Sequence, residues 1–153
     1  MNASPERNKV TGAFGETLVR VRYAETDQMG VVYYSNYFVW FEIGRVELLR
    51  QLGFDYKRME AEDDCFIPVV EANCRYKAPA RYDDDLIIQT EAASLRGYIL
   101  KFRYRILRAD DRQLLVEGET THVVTDRNMK KKDLPKKYVH ALNGTNVVIP
   151  TGI

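Results

Sequence analysis

The stretch TDQMGVVYYSNY, residues 26–37, places an acidic side chain three residues before a glycine and just ahead of a predicted helix. Asp27 can serve as an ordinary turn aspartate, because a carboxylate in such a turn accepts backbone N–H bonds. A carboxylate at this place can also act as a general base or as a nucleophile. The residue types alone leave both interpretations open.

The start of the predicted helix offers groups that complement a carboxylate. The first N–H groups of a helix have no partner within it, and they lie at the positive end of the helix dipole. They suit an oxyanion or a polarised carbonyl. The neighbouring side chains of Tyr33, Tyr34 and Tyr37 can wall such a site. This combination fits hydrolysis of an activated acyl group.

A strand and a long helix must position this loop. Val19, Val21 and Tyr23 alternate with polar residues and are predicted on one side of a first strand. Helical spacing of apolar residues then predicts a helix that begins at Ser35 and ends at Gly53. Its apolar surface is broader than one stripe, so we expect burial on more than one side.

The rest of the chain changes to a period of two. A short helix is predicted over 55–63, followed by four long alternating strands within 70–125. One helix laid on a five-stranded antiparallel sheet, an α+β fold, is the economical arrangement. One domain is predicted over 1–153, with a loose arm at 1–15 and a C-terminal tail at 136–153. Since one helix cannot cover every face and edge of such a sheet, we expect a homodimer.

Composition narrows the class of protein. The 153 residues contain 23 Lys plus Arg against 22 Asp plus Glu, which argues against a nucleic-acid binder. Neither an apolar run long enough for a membrane span nor a secretory signal is present. Cys65 and Cys74 lack metal-ligand spacing and are expected to be free thiols. A cytoplasmic protein is predicted.

The same loop resembles the signature of the hotdog-fold acyl-CoA thioesterases of the 4-hydroxybenzoyl-CoA thioesterase family. That signature, D-x-x-G-[IV]-V-[YW]-x-x-N-Y, links the first strand to the central helix. The later run VVEANCRYKAPARYDDDL, residues 69–86, is also similar to the family, and the likeness spans about residues 17–135. The signature is matched here by Asp27, Gly30, Val31, Val32, Tyr33, Asn36 and Tyr37.

The resemblance implies a fold, an activity and residue roles. It implies a five-stranded sheet wrapped around one long helix, and hydrolysis of an acyl-CoA to the acid and free coenzyme A without metal or other cofactor. Asp27 would attack the thioester carbonyl or activate water, and the Tyr34 backbone N–H would polarise the carbonyl oxygen. The active site would lie across a dimer interface, with two dimers joined in a tetramer. An acyl-carrier protein is a further possible thioester donor.

Tyr34 departs from one branch of that family. In the short-chain acyl-CoA thioesterases linked to the Tol-Pal system, the matching residue is usually a histidine that assists the aspartate. Asp27 would therefore act largely alone here, and a non-catalytic acyl-CoA binding module is an alternative. A hydratase or dehydratase is disfavoured, because the segment entering the helix contains no histidine.

Other charged residues have less specific spacing. Glu42 and Arg45 lie three apart on the helix and are predicted to form an ion pair. His122 is predicted to be packed and hydrogen-bonded within a strand rather than to act as a base. A basic cluster follows the last strand, as a solvated charge run or as a binding site for the phosphates of coenzyme A. The cluster consists of Arg127, Lys130, Lys131 and Lys132, of which the first three are the predicted phosphate ligands.

Overall fold

A computed structural model describes residues 12–144 and 147–151 of the chain. The predicted arm at 1–15 lies outside the described residues up to residue 11. Three helices and six strands are present in the described part. The helices are α1 (Asn36–Gln51), α2 (Tyr56–Asp63) and α3 (Lys136–Leu142); the strands are β1 (Phe14–Arg20), β2 (Val69–Tyr76), β3 (Asp85–Arg96), β4 (Ile99–Arg108), β5 (Leu114–Val123) and β6 (Val147–Thr151).

The strands form one sheet in the order β2-β5-β4-β3-β1-β6. All pairings among the first five are antiparallel, whereas β6 adds to the far edge in parallel with β1. The predicted arrangement of five antiparallel strands with one long helix is therefore confirmed. Helix α3 and strand β6 fall within the segment predicted only as a tail. Tyr138 and Leu142 of α3 are buried, so this segment packs on the fold although it is too short to show a clear period.

Helix α1 lies against the sheet with an unusually close approach. Its buried residues span more than one side, as predicted, and the ring of Phe41 stacks on that of Tyr104 with centroids 4.4 Å apart. Gly44 permits this contact, because a Cβ there would come within 2.3 Å of Thr90 Oγ1. Helix and sheet thus share one apolar core.

The first strand ends earlier than predicted. Strand β1 stops at Arg20, and Tyr23–Glu25 form a short 3₁₀ turn. Tyr23, predicted on the same side of the strand as Val19 and Val21, is consequently 77% exposed. The turn is held by the Glu25 carboxylate, which accepts from the Arg22 backbone N–H at 2.7 Å. Alternation predicts a buried Tyr23 only if the strand continues, and this hydrogen bond diverts the chain.

Strand β2 lies at the other edge of the sheet and is exposed on both faces. Among the described residues it pairs only with β5. Val70 is 59% exposed and Tyr76 48% exposed.

Within the described residues no helix is long and apolar enough to cross a membrane.

Candidate active site

The turn at Asp27 is a narrow loop closed by its own hydrogen bonds. The Gly30 N–H donates to the Asp27 carbonyl at 3.0 Å, and the Asp27 N–H donates to the Val31 carbonyl at 2.8 Å. Gly30 has a φ of +77°, a conformation in which glycine avoids the strain of a side chain. The D-x-x-G spacing is thus explained by turn geometry.

The two oxygens of the Asp27 carboxylate differ, because only one of them accepts hydrogen bonds from the described residues. Oδ1 accepts from the Met29 N–H at 2.8 Å and from the Val31 N–H at 3.4 Å. Among the described residues no group donates to Oδ2. Both interpretations of Asp27 are therefore compatible with the geometry, because the turn bonds orient the carboxylate and leave one oxygen available.

Helix α1 begins directly after this turn. No described residue accepts a hydrogen bond from the Tyr34 N–H, which lies two residues before the helix. Asn36 holds the loop against the helix, because its side-chain amide donates to the Glu25 carbonyl at 2.8 Å. Ser35 takes the N-cap position but makes no side-chain cap bond. The unpaired N–H of Tyr34 is the group that an oxyanion would need.

A cavity of about 290 Å³ opens beside Tyr34. The Tyr76 hydroxyl, from the end of β2, donates to the Tyr34 carbonyl at 2.9 Å and so fixes the backbone there. Burial raises the pKa of Tyr76 to about 12, so its hydroxyl remains a donor at neutral pH. Tyr76 was not predicted as a site residue, because it is 42 positions from Tyr34 and the sequence around it carries no local signal. The cavity is lined by Val31, Val32, Tyr34, Tyr37, Tyr76, Lys77, Ala78 and Pro79.

The aromatic residues near the loop differ in their surroundings. Trp40 is fully buried and belongs to the core. Tyr37 is also buried, and its hydroxyl accepts from the Ala80 N–H at 3.1 Å, although its ring edge reaches the cavity. Tyr33 is 45% exposed and packs on Tyr34. Only Tyr34 and Tyr37 therefore contribute walls to the cavity among the predicted aromatic residues.

The basic cluster lies at the opposite end of the sheet. It follows β5, whose last residues pair with the start of β2, whereas Tyr34 contacts the end of β2 at Tyr76. Arg127 is paired with Asp64 at 3.2 Å, and Lys131 lies over the Tyr98 ring. Lys130 forms no ion pair with any described residue. Eight residues of extended strand separate the cluster from Tyr34, about 23 Å along β2.

His122 is buried within β5, as predicted. Its Nδ1 bonds to the Ile67 carbonyl and its Nε2 to Thr120 Oγ1, both at 2.8 Å. Burial lowers the pKa of His122 to about 4, so the ring is neutral at physiological pH.

The predicted ion pair between Glu42 and Arg45 is wrong. Arg45 instead lies beside the Tyr104 hydroxyl, with Nη1 and Oη 3.5 Å apart.

One long apolar helix wrapped by antiparallel strands, with an acidic turn at its N-terminal end, defines a hotdog-fold thioesterase. The chain matches the thioesterase-like superfamily over residues 21–142. It is 43% identical over 122 residues to the acyl-CoA thioester hydrolase YbgC of Escherichia coli O157:H7, covering 79% of this chain and 90% of that protein. The chain therefore belongs to the thioesterase-like superfamily, which confirms the resemblance inferred from the loop.

Solved structures agree on the fold. A 1,4-dihydroxy-2-naphthoyl-CoA thioesterase from Synechocystis superimposes with a TM-score of 0.78 at 25% identity, covering 84% of this chain and 94% of that chain. The 4-hydroxybenzoyl-CoA thioesterase from Pseudomonas sp. strain CBS-3 gives a TM-score of 0.78 at 22% identity, covering 84% and 99% of the two chains. At that identity the second likeness concerns the fold alone.

Proposed function

We propose that the protein hydrolyses acyl-CoA thioesters, with Asp27 as the base or nucleophile and the Tyr34 N–H as the oxyanion donor. The class of enzyme, a thioester hydrolase, is the one that its relatives share. The observation that carries the residue assignment is the unpaired Tyr34 N–H, seven residues along the chain from a carboxylate with one open oxygen. The carboxylate can attack the carbonyl carbon or activate water to do so, and the N–H can stabilise the negative charge on the carbonyl oxygen.

The reaction has two routes that use the same groups. As a base, Asp27 takes a proton from water while the water oxygen attacks the carbonyl carbon, and coenzyme A leaves as the thiolate. As a nucleophile, Asp27 attacks the carbon itself and the C–S bond breaks, so that coenzyme A leaves as the thiolate; water then cleaves the resulting anhydride and regenerates the carboxylate. In both routes the oxyanion forms where the Tyr34 N–H can donate to it.

Neither histidine of the chain is placed to assist Asp27. His122 is buried, and both of its ring nitrogens are occupied. His140 lies on α3, in the C-terminal part of the fold. No histidine elsewhere in the chain thus replaces the one that some relatives carry at the position of Tyr34. We propose that the fixed turn geometry lets Asp27 act without it.

A second copy of the chain completes the site in this proposal. The edge strand β2 presents unpaired backbone groups, and its Val69, Val70 and Tyr76 side chains are exposed. Val39 of α1, exposed on the helix surface, adds apolar area that a partner would cover. Antiparallel pairing of β2 with its copy would remove both exposures. Association of two such dimers into a tetramer remains a proposal on family grounds.

This dimer would also explain the position of the basic cluster. Within one chain, Arg127, Lys130 and Lys131 are about 23 Å from Tyr34 along β2. Antiparallel pairing places the start of one β2 opposite the end of the other. The cluster of one protomer would then approach the Asp27 turn of its partner, where its cations would bind the phosphates of coenzyme A.

We extend the proposal to the cellular setting. Free coenzyme A thioesters are cytoplasmic metabolites, and Cys65 and Cys74 are free thiols in the structure. A cytoplasmic enzyme that needs no metal and takes its acyl group from coenzyme A, or from an acyl-carrier protein, fits both points.

The proposed activity is tested by thiol release from a panel of short, long and aromatic acyl-CoAs, with Asp27→Asn as the background. The native protein is expected to release thiol from at least one of them. A native protein that binds coenzyme A but releases no thiol would contradict the proposal and favour the binding module.

The shared site is tested by complementation. Asp27→Asn is mixed with a triple variant, Arg127→Gln with Lys130→Gln and Lys131→Gln, and subunits are exchanged by mild denaturation. If one protomer supplies Asp27 and its partner the cations, hybrids contain one intact site, and about a quarter of native kcat/KM returns. No recovery in verified hybrids would contradict a shared site.

A further inference from the structure

A second and larger cavity, of about 780 Å³, lies between α1, α2 and the chain that enters β2. It shares no lining residue with the cavity beside Tyr34. Its walls include the apolar side chains of Val46, Phe66, Ile67 and Val69. Its polar lining includes Arg45 of α1 and Tyr56 of α2.

Arg45 is a part-buried cation without a counter-ion. Among the described residues no carboxylate forms an ion pair with it, although Glu42 and Glu60 line the same cavity. The Tyr104 hydroxyl accepts from it at 3.5 Å, and the Tyr56 hydroxyl lies beside it. A guanidinium has five N–H donors, and withdrawing it from water without an acceptor is costly. Most of its donors are therefore available to a ligand.

The Tyr104 hydroxyl accepts from Arg45 and donates its own proton inward, away from the cavity. The His122 Nδ1–H donates to the Ile67 carbonyl, so the neutral ring must accept at Nε2 from the Thr120 hydroxyl. Thr120 has no second proton, so Tyr104 donates to Thr120 Oγ1 at 2.6 Å. This chain of donors runs inward from Arg45 and ends on the Ile67 carbonyl. It holds the guanidinium in place and supplies no acceptor to the cavity.

Tyr56 adds a second unused donor. Its hydroxyl is buried beside the Arg45 guanidinium, and its proton has no acceptor among the described residues. Burial raises the pKa of Tyr56, so the group stays protonated at physiological pH. A buried hydroxyl without a partner is destabilising, and such groups in a native fold mark a missing acceptor.

We infer that this cavity binds a carboxylate, whose two oxygens accept hydrogen bonds from the Arg45 guanidinium and the Tyr56 hydroxyl. A carboxylate matches the fork of a guanidinium, and the apolar walls suit the carbon chain attached to it. Three carboxylates and three cations line the cavity, and this balance favours a singly charged group over phosphate; they are Glu42, Asp55 and Glu60, and Arg45, Arg50 and Lys57. The carboxylate comes from one of two sources: a free carboxylic acid, or the far end of a dicarboxylic acyl group whose thioester lies at the Asp27 turn of the partner in the proposed dimer, because antiparallel pairing brings the start of one β2 to the end of the other. The second source rests on the proposed function, and the first does not.

Binding is tested first with pentanoate and its uncharged amide, pentanamide, by titration calorimetry. The native protein is expected to bind pentanoate at least tenfold more tightly than pentanamide. Arg45→Gln and Tyr56→Phe should each weaken pentanoate binding about tenfold, since both remove a hydrogen bond to a charged group. Arg58→Gln is the control, because Arg58 pairs with Glu62 and does not line the cavity. Equal affinity of the native protein for the two probes would overturn the inference.

Tyr56→Phe also separates a ligand-binding hydroxyl from a structural one. It removes a buried hydroxyl whose proton has no acceptor in the described fold, so the midpoint of thermal unfolding should stay the same or rise. Weaker pentanoate binding with unchanged or greater stability supports the inference. A clear loss of stability without ligand would show that the hydroxyl bonds within the protein, and would overturn it.

Kinetics then distinguish the two sources. Glutaryl-CoA and pentanoyl-CoA have acyl chains of equal carbon number and differ by the far carboxylate. If the acyl group supplies the carboxylate, Arg45→Gln lowers kcat/KM at least tenfold for glutaryl-CoA and leaves pentanoyl-CoA within threefold. Equal effects on both substrates, with pentanoate binding intact in the native protein, assign the cavity to a free acid. Absence of thiol release from any acyl-CoA would overturn the proposed function, while calorimetry still decides the cavity.

Discussion

Two turns at opposite ends of the sheet have the same hydrogen-bond pattern, and only one is followed by a helix start. The Asp27 Oδ1 accepts from the N–H groups two and four residues later, at 2.8 and 3.4 Å. The Asp126 Oδ1 does the same, at 2.8 and 3.0 Å. In each turn a threonine precedes the aspartate and forms an isolated β-bridge across the turn. The acidic turn is therefore a structural device that the chain uses twice.

The surroundings of the two turns differ. The Asp27 turn leads into α1, where the Tyr34 N–H has no acceptor among the described residues. After the Asp126 turn the chain forms no helix before α3, and the neighbouring Arg127 is paired with Asp64. The comparison teaches that the bonds made by a turn aspartate do not identify a catalytic group. An open carboxylate oxygen becomes significant only beside an unpaired donor.

The largest stability effect is expected at the Asp126 end, from the buried His122. The unfolded chain binds a proton on this ring near pH 6.5, whereas burial lowers the pKa of His122 in the native state to about 4. Stability is therefore full above pH 6.5 and decreases as the pH falls towards 4, by on the order of 3 kcal/mol. Urea unfolding of the native protein from pH 7 to pH 4 measures this slope.

The matched variants for that slope are His122→Gln and His140→Gln. Removing the buried ring should flatten the dependence of the unfolding free energy on pH, and His140→Gln should leave it as in the native protein. A native slope that survives in His122→Gln would assign the acid sensitivity to other groups.

Truncating the two turn aspartates should cost similar amounts of stability. Asp27→Ala and Asp126→Ala each remove acceptors for two backbone N–H groups, at a cost of about 1 to 2 kcal/mol. The free energy of unfolding, measured with urea at pH 7.5, gives both values. A much smaller loss at Asp27 than at Asp126 would break the structural equivalence of the turns.

Substitutions at the fourth residue of each turn are expected to change the stability of the fold least, and in opposite directions. Gly30 and Met129 both have positive φ, +77° and +64°. Gly30→Ala is expected to destabilise by about 1 kcal/mol, because Ala is strained in this region, and Met129→Gly to stabilise by up to about 1 kcal/mol. Thermal unfolding of the two variants checks the signs. Stabilisation by Gly30→Ala would contradict the assigned turn geometry.

Local patterns in the sequence predicted much of this fold. A helix with helical spacing of apolar residues and strands with a period of two are long enough here to be recognised, and the structure confirms α1, α2 and the antiparallel strands. The D-x-x-G loop predicted the Asp27 turn, because the turn needs a side-chain acceptor and a residue with positive φ. Tyr23 was mispredicted since alternation cannot show where Glu25 turns the chain.

Contacts between distant elements could not be predicted from spacing. Tyr76 reaches the Tyr34 carbonyl from another strand, and the polar chain behind Arg45 joins α1, β4, β5 and the segment before β2. The i, i+3 spacing of Glu42 and Arg45 predicted an ion pair that does not form, because a nonlocal partner, Tyr104, receives the guanidinium. Helix α3 and strand β6 were not predicted, because each is short. Seven residues of helix and five of strand do not establish a periodic pattern in the sequence.

The most direct measurement compares Asp27→Asn with Asp126→Asn for turnover and for the free energy of unfolding. Asparagine keeps an oxygen that accepts the turn bonds and removes the charge, so both variants should unfold within about 0.5 kcal/mol of the native protein. Turnover of the best acyl-CoA should fall at least about a hundredfold in Asp27→Asn and stay within about threefold in Asp126→Asn. Equal turnover in the two variants would contradict the account, because Asp27 would then be a turn residue and nothing more.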